Sequence, residues 1–71
     1  MVRMKVKELL AERGHSKYWL YKRMGLSYQN ISKIMDGETE GIRFKNLEKL
    51  YKLLECDPNE LFEIKYEEKE N

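Results

Sequence analysis

Apolar residues recur along most of the chain at helical spacing, and short alternating segments lie near its two ends. The spacing predicts helices over about residues 6–13, 17–24, 28–36 and 45–55, with a short fifth helix after Asp57. The clearest apolar stripe belongs to the fourth helix, at i, i+3, i+4 and i+7: Leu47, Leu50, Tyr51 and Leu54. The fifth is marked by Asp57-Pro58-Asn59-Glu60, which supplies an N-cap acid, a proline at the first helical position and an acid at the third.

Four residues define a tight helix pair over residues 16–37. Ser16 and Ser27 can accept hydrogen bonds from the opening turns of the second and third helices. Gly25 follows the second helix, where a residue without Cβ takes a positive φ at little cost, and Gly37 offers the third helix a stop. The sequence therefore predicts two short helices joined by a turn.

The alternating segments predict strands. Residues 2–5 and 62–66 each alternate with period two. We predict that they pair as an antiparallel ribbon, within one chain or across a dimer, on an aromatic surface supplied by Tyr18, Trp19 and Tyr21. The alternative is that both ends are flexible, and residues 67–71 are expected to fray.

The outward face of the third helix carries the chemistry most useful for recognition. Its polar members are Tyr28, Gln29, Asn30 and Lys33. Glutamine and asparagine can bond adenine in a bidentate way, and lysine can reach guanine or phosphate. As solvated helix residues they would be unremarkable, but the N-terminal end of the second helix in such a pair enters the major groove of DNA. We therefore interpret them as base-reading residues.

The stretch resembles the helix-turn-helix of the Cro/C1 repressor (XRE-like) family. The positions that match are Ser16, Leu20, Gly25, Ser27, Ile31, Ser32, Ile34 and Gly37, with Leu26 in place of the family's valine. Leu47, Leu50 and the segment 57–61 fit the two closing helices, so the resemblance covers about residues 4–62. It implies an all-α, five-helix lambda-repressor-like DNA-binding domain. The alternating segments predict a short terminal β ribbon in addition.

The resemblance also implies a role for each part of the pair. The third helix would lie in the major groove and the second would cross the DNA backbone. Phosphate contacts would come from the helix N-termini and nearby polar side chains, namely Ser16, Lys17, Ser27, Ser32, Lys45 and Asn46. The implied function is sequence-specific transcriptional regulation, as a repressor, by a homodimer on a pseudo-palindromic operator.

The sequence departs from the family pattern in three places. Lys17 replaces a glutamine that contacts phosphate, which a cation can also do. Tyr21 replaces a small alanine where the two helices cross, so either the helices splay or Tyr21 swings to an edge. The loop after the third helix carries Asp36, Glu38 and Glu40 where relatives have basic residues, which argues against a phosphate clamp there.

Length and composition narrow the remaining possibilities. The 71 residues allow one domain, with a core over about residues 4–62 and a C-terminal extension over 63–71. The single cysteine, Cys56, excludes an internal disulfide and suits the reducing cytoplasm, where it would serve as a small apolar residue. His15 is the only histidine, so we expect no zinc site, no cofactor and no enzyme activity. The sequence shows no apolar run long enough for a membrane span and no signal peptide.

The charge is divided between the two halves of the chain. Residues 1–35 carry eight cations and two acids, whereas residues 36–71 carry six cations and eleven acids. This division favours a basic face toward nucleic acid. The acidic loop and the aromatic residues of the second helix also permit a rival function, an antitoxin-like protein-interaction module on the same scaffold. Trp19 would then contribute to a dimer patch, unless it covers the ribbon or lies across its own domain.

Overall fold

The computed structural model describes residues 2–66, which form five helices and a two-stranded sheet. In chain order the elements are β1 (Val2–Met4), α1 (Val6–Glu12), α2 (Lys17–Met24), α3 (Tyr28–Asp36), α4 (Phe44–Leu54), α5 (Pro58–Leu61) and β2 (Phe62–Ile64). The predicted five-helix fold and terminal ribbon are both confirmed. The predicted behaviour of Glu67–Asn71 concerns residues outside the described part of the chain.

The core is drawn from all five helices and from β1. Its buried members are Met4, Val6, Leu9, Leu10, Leu20, Met24, Ile31, Ile34, Leu50, Leu54 and Leu61. Within residues 2–66 no polar or charged side chain is buried, so packing in the interior rests on apolar contact alone. Leu20 of α2, Ile31 of α3 and Leu50 of α4 have no exposed surface, which fixes the helix pair against the rest of the domain.

The Arg13 side chain, just after α1, contacts residues on both sides of the connection between α4 and α5. Its guanidinium donates to the carbonyl of Glu55 at 3.4 Å and lies 3.8 Å from the carboxylate of Glu60. Glu55 ends α4 in the left-handed region, with φ of 50°. Burial raises the pKa of the neighbouring Cys56 thiol, even though the charge of Arg13 acts in the opposite direction. Cys56 is half-buried and packs against the core, which agrees with the packing role predicted for it.

The ribbon forms within one chain, in antiparallel register. Val2 lies opposite Ile64, Arg3 opposite Glu63, and Met4 opposite Phe62. The Arg3 guanidinium donates to the Glu63 carboxylate at 2.7 Å and also pairs with Glu8 of α1. The hydrogen bond from Arg3 holds the pKa of the Glu8 carboxyl below its ordinary value. This charged side of the ribbon thus ties both strands to the first helix.

The predicted aromatic support for the ribbon is wrong. The ribbon instead borders the segment that follows α3, where Val2, Met4 and Phe62 line a cavity of about 150 Å³ together with Gly37 and residues 39–42. The rings of Tyr18, Trp19 and Tyr21 make their ring contacts around α2 and the start of α3. The fold brings the ribbon beside this loop, a placement that depends on tertiary packing.

Candidate nucleic-acid interface

The two serines begin α2 and α3 as the sequence predicted. The Ser16 hydroxyl oxygen accepts a hydrogen bond from the Trp19 N–H at 3.0 Å, and the Ser27 hydroxyl oxygen accepts from the Asn30 N–H at 3.1 Å. Both serines are exposed, and each hydroxyl keeps its own proton as a donor. The serines can therefore cap their helices and still donate to an anion.

Gly25 and Lys49 set the turn between α2 and α3. Gly25 ends α2 with φ of +74°, in the left-handed region. The Lys49 ammonium, from the middle of α4, donates to the carbonyl of Met24 at 3.1 Å. It thus satisfies a carbonyl at the end of α2 and ties the turn to α4. The turn of the pair is therefore held in part by a residue from outside the pair.

Gly25→Ala is expected to lower the free energy of unfolding by about 1–2 kcal/mol, because the Cβ of alanine is sterically strained in the left-handed conformation that glycine adopts freely. Added bulk is a smaller problem, since a new Cβ would lie 3.7 Å from the Lys49 ammonium. Gly41→Ala is the matched control: it has no positive φ and its new Cβ meets nothing within 4 Å. That variant is expected to be neutral or stabilised by up to about 1 kcal/mol. Urea unfolding of both variants checks the prediction, and equal losses would contradict it.

The predicted base-reading residues all lie on the exposed side of α3. Tyr28, Gln29, Asn30 and Lys33 are exposed, whereas Ile31 and Ile34 face the core. Ser32 is half-buried on the same helix. The four exposed residues have different neighbours, however. Tyr28 turns toward α2, and Asn30 and Lys33 border a groove toward α4.

Tyr28 joins α3 to the beginning of α2. The Lys17 ammonium lies over its ring, 4.6 Å from the centroid, and the ring of Tyr21 meets it edge-on at 5.2 Å. Tyr21 is half-buried, packs against the core and contacts Tyr28 across the helix pair. The Tyr28 side chain holds Lys17 close to the N-terminus of α2, where backbone N–H groups favour an anion.

The groove on the other side of α3 is a cavity of about 540 Å³. Its polar lining comes from α3, the following loop and the beginning of α4: Asn30, Lys33, Glu38, Thr39, Glu40, Arg43 and Asn46. Predicted phosphate ligand Asn46 is half-buried here, and Lys45 is exposed beside it in an adjoining cavity of about 390 Å³. The acids Glu38 and Glu40 bring negative charge to the same groove.

Arg43 was not among the residues predicted to contact DNA. It borders both cavities, together with Asn30 and Asn46, and it precedes α4 as its N-cap residue. The sequence also permits an ion pair between Arg43 and Glu40, but no such pair forms within residues 2–66. The sequence contains a signal for this placement of Arg43, because a cation just before Lys45 and Asn46 belongs to the same helix N-terminus.

Trp19 lies in a stacked column on α2. The His15 ring stacks on it at 3.6 Å with an interplanar angle of 7°, and the Arg23 guanidinium lies 4.6 Å from its centroid. The Arg23 side chain also donates to the Trp19 carbonyl at 3.2 Å. Trp19 therefore lies across its own domain, half-buried against the core, which is one of the three placements considered for it.

Comparison with known proteins identifies the family. The profile of the Cro/C1-type HTH DNA-binding domain matches residues 5–67. The chain belongs to this family. It is 35% identical over 60 residues to the uncharacterized HTH-type transcriptional regulator YozG of Bacillus subtilis (strain 168), covering 84% of this chain and 71% of that protein. It is also similar to a protein from Bacteroides fragilis whose crystal structure is described as that of a DNA-binding protein. The two sequences are 30% identical and the TM-score is 0.77, and the match covers 89% of this chain and 100% of that one.

Membership in the Cro/C1-type family supports DNA binding in transcriptional regulation. Within residues 2–66, no helix is long and apolar enough to cross a membrane. The same residues contain no group of three or more histidine, cysteine or acidic side chains placed to hold a metal ion. The residues that contact DNA stay predictions, and they rest on the geometry of α2, α3 and the beginning of α4.

Proposed function

We propose that this Cro/C1-type protein is a sequence-specific repressor of bacterial or phage origin that binds double-stranded DNA in the cytoplasm as a homodimer. The observation that carries the proposal is the exposed row Gln29, Asn30 and Lys33 on α3, held outward by the buried Ile31 and Ile34. With α3 in the major groove, this row faces base edges, where amide side chains distinguish adenine and lysine favours guanine.

The α2 side of the interface supplies affinity that is independent of sequence. Lys17 lies over Tyr28 beside the Ser16 cap, so a cation, a hydroxyl and the N-terminus of α2 all face one DNA phosphate. Tyr28 acts here by ordering Lys17, and its own contact with DNA is the exposed edge of its ring. Because phosphate contacts dominate affinity, Lys17 contributes to binding of every duplex.

The α4 side of the interface is weaker. Arg43, Lys45 and Asn46 lie where a second phosphate would pass, but Glu38 and Glu40 border the same groove. The acids oppose a phosphate near them, so one copy makes a limited electrostatic contact. Two copies on half-sites about one helical turn apart, ~34 Å, would multiply the contacts and raise the effective affinity.

Selection of bound duplexes from a random pool tests the proposal directly. The expected result is enrichment of a two-fold symmetric site that is lost steeply as salt is raised. Enrichment without symmetry would overturn the homodimer. Failure to retain any duplex at low ionic strength would overturn DNA binding itself.

A protein-interaction module is the second candidate function, and one observation favours it. Phe44, at the beginning of α4, is 87% exposed and follows the acidic loop that carries Glu38 and Glu40. An exposed aromatic ring of this kind is typical of a surface that docks another protein. Salt-resistant binding of such a partner that Phe44→Ala abolishes, with no duplex retained, would favour this function.

A further inference from the structure

β2 has one edge paired with β1 and one edge with no strand beside it within residues 2–66. The Lys5 N–H donates to the Leu61 carbonyl at 2.6 Å, at the base of the ribbon. Since hydrogen-bonded and non-hydrogen-bonded pairs alternate in an antiparallel ladder, Arg3 and Glu63 form the next hydrogen-bonded pair. The N–H and C=O of Ile64 therefore point away from β1, toward the open edge.

The sequence along this edge is self-complementary. Residues 62–66 read Phe-Glu-Ile-Lys-Tyr, which from either end gives an aromatic residue, a charge, isoleucine, the opposite charge and an aromatic residue. If the same segment of a second copy runs antiparallel with Ile64 opposite Ile64, each Glu63 faces a Lys65 and each Phe62 faces a Tyr66. Opposite charges and aromatic pairs across strands both stabilise a sheet.

We propose that two copies of this chain associate through the open edge of β2 and form a four-stranded sheet in the order β1-β2-β2-β1. The two Ile64 residues exchange a pair of backbone hydrogen bonds on the two-fold axis. The carbonyl of each Phe62 accepts from the Tyr66 N–H of the other copy, which extends β2 by two residues. The Phe62 N–H keeps its bond to the Pro58 carbonyl of α5 and is not needed for the pairing.

The apolar side of the ribbon gains most from this pairing. Val2, Met4, Phe62, Ile64 and Tyr66 share one side because alternate residues of a strand point the same way. Met4 is buried, but Ile64 is 53% exposed and Tyr66 is 84% exposed. Pairing brings these exposed side chains into contact across the axis. Residues 67–71 are three acids, one lysine and one asparagine, so these five residues supply no apolar side chain to cover Ile64 and Tyr66.

The edge of β1 is a poorer choice for a second copy. Antiparallel pairing centred on Met4 places Arg3 opposite Lys5, and pairing centred on Arg3 places two guanidinium groups together. Like charges directly opposite each other destabilise a sheet. At β2, by contrast, the Glu63 carboxylate keeps Oε1 for Arg3 and offers its second oxygen to Lys65 of the second copy.

The need for two copies rests on the proposed function, but the choice of surface rests only on the ribbon. Its test therefore uses the full chain without DNA. Sedimentation equilibrium over a range of concentrations is expected to show a monomer–dimer equilibrium. Ile64→Pro removes the central N–H from both copies and is expected to raise the dimer Kd by about tenfold or more. Val2→Pro removes an outward N–H from the other edge and is expected to leave the dimer Kd unchanged.

Cross-linking locates the interface independently. In a Cys56→Ser background, the Ile64→Cys thiols would lie on Cα atoms about 5.5 Å apart across the axis, within disulfide range. Mild oxidation is expected to cross-link this variant. The Val2→Cys variant, whose thiols would be separated by three strand spacings, about 14 Å, is expected to stay uncross-linked. Circular dichroism establishes that each variant retains its helices.

Each remaining outcome overturns the inference. A chain that is monomeric at every concentration, or a dimer cross-linked by Val2→Cys and not by Ile64→Cys, excludes the β2 edge. DNA binding by a folded monomer would overturn the inference and leave DNA recognition standing. Loss of DNA binding with cross-linking at Ile64→Cys intact would overturn the proposed function alone.

Discussion

Leu50→Ala is expected to lower the free energy of unfolding by about 2–5 kcal/mol, the cost of a buried leucine truncation that leaves a cavity. Leu50 has no exposed surface and belongs to the same core cluster as Leu20 and Ile31. A chain of 71 residues has a total stability of about 4–10 kcal/mol, so this one change removes a large part of it. Urea unfolding followed by far-ultraviolet circular dichroism measures the loss.

Phe44→Ala is the matched control for this core variant. Phe44 lies on the same helix, and its side chain is 87% exposed, so its removal leaves no cavity. The free energy of unfolding is expected to change by no more than about 0.5 kcal/mol. Comparable losses for the two variants would show that α4 does not pack on the core through Leu50.

Gln29→Ala is expected to reduce the preference for the selected site over random duplex by about 1–3 kcal/mol, because it removes a base-edge contact. Lys17→Ala is expected to weaken binding to both duplexes alike and to reduce the salt dependence by about one phosphate contact. Titration of each variant against both duplexes at several salt concentrations separates the two effects.

Lys52→Ala provides the control for loss of a cation. Lys52 lies near the other end of α4, where its ammonium is 3.6 Å from Glu48 and 75% of its side chain is exposed. Its removal is expected to change duplex affinity far less than removal of Lys17. If Gln29→Ala affects specific and random duplexes equally, or if the two lysine variants behave alike, the assigned interface is wrong.

The helices were predictable from the sequence because their signals are local. Ser16, Ser27 and Asp57 cap their helices as predicted, and the bounds of α2 and α3 agree with the structure. The fourth helix runs from Phe44 to Leu54, one residue earlier at each end than predicted. That shift follows from Glu55, whose left-handed conformation ends the helix before it.

Contacts between distant residues were not predictable in this way. Lys17 and Tyr28 meet only because the turn folds α3 back on α2, and Lys49 reaches the Met24 carbonyl from another part of the chain. Arg43 likewise comes to border the groove of Asn30 and Lys33 only when α4 is placed beside α3. The sequence identified the chemical types at the candidate site, whereas tertiary packing decides which of them share a cavity.

The pairing of Val2 with Ile64 has a consequence for engineering. Both ends of the described chain leave the domain at one place, so a short linker could close it into a ring. New ends could then be opened at Gly41, where added atoms meet nothing. The same geometry suits insertion of the whole domain into a surface loop of a host protein, because its two adjacent ends could join the loop at neighbouring positions.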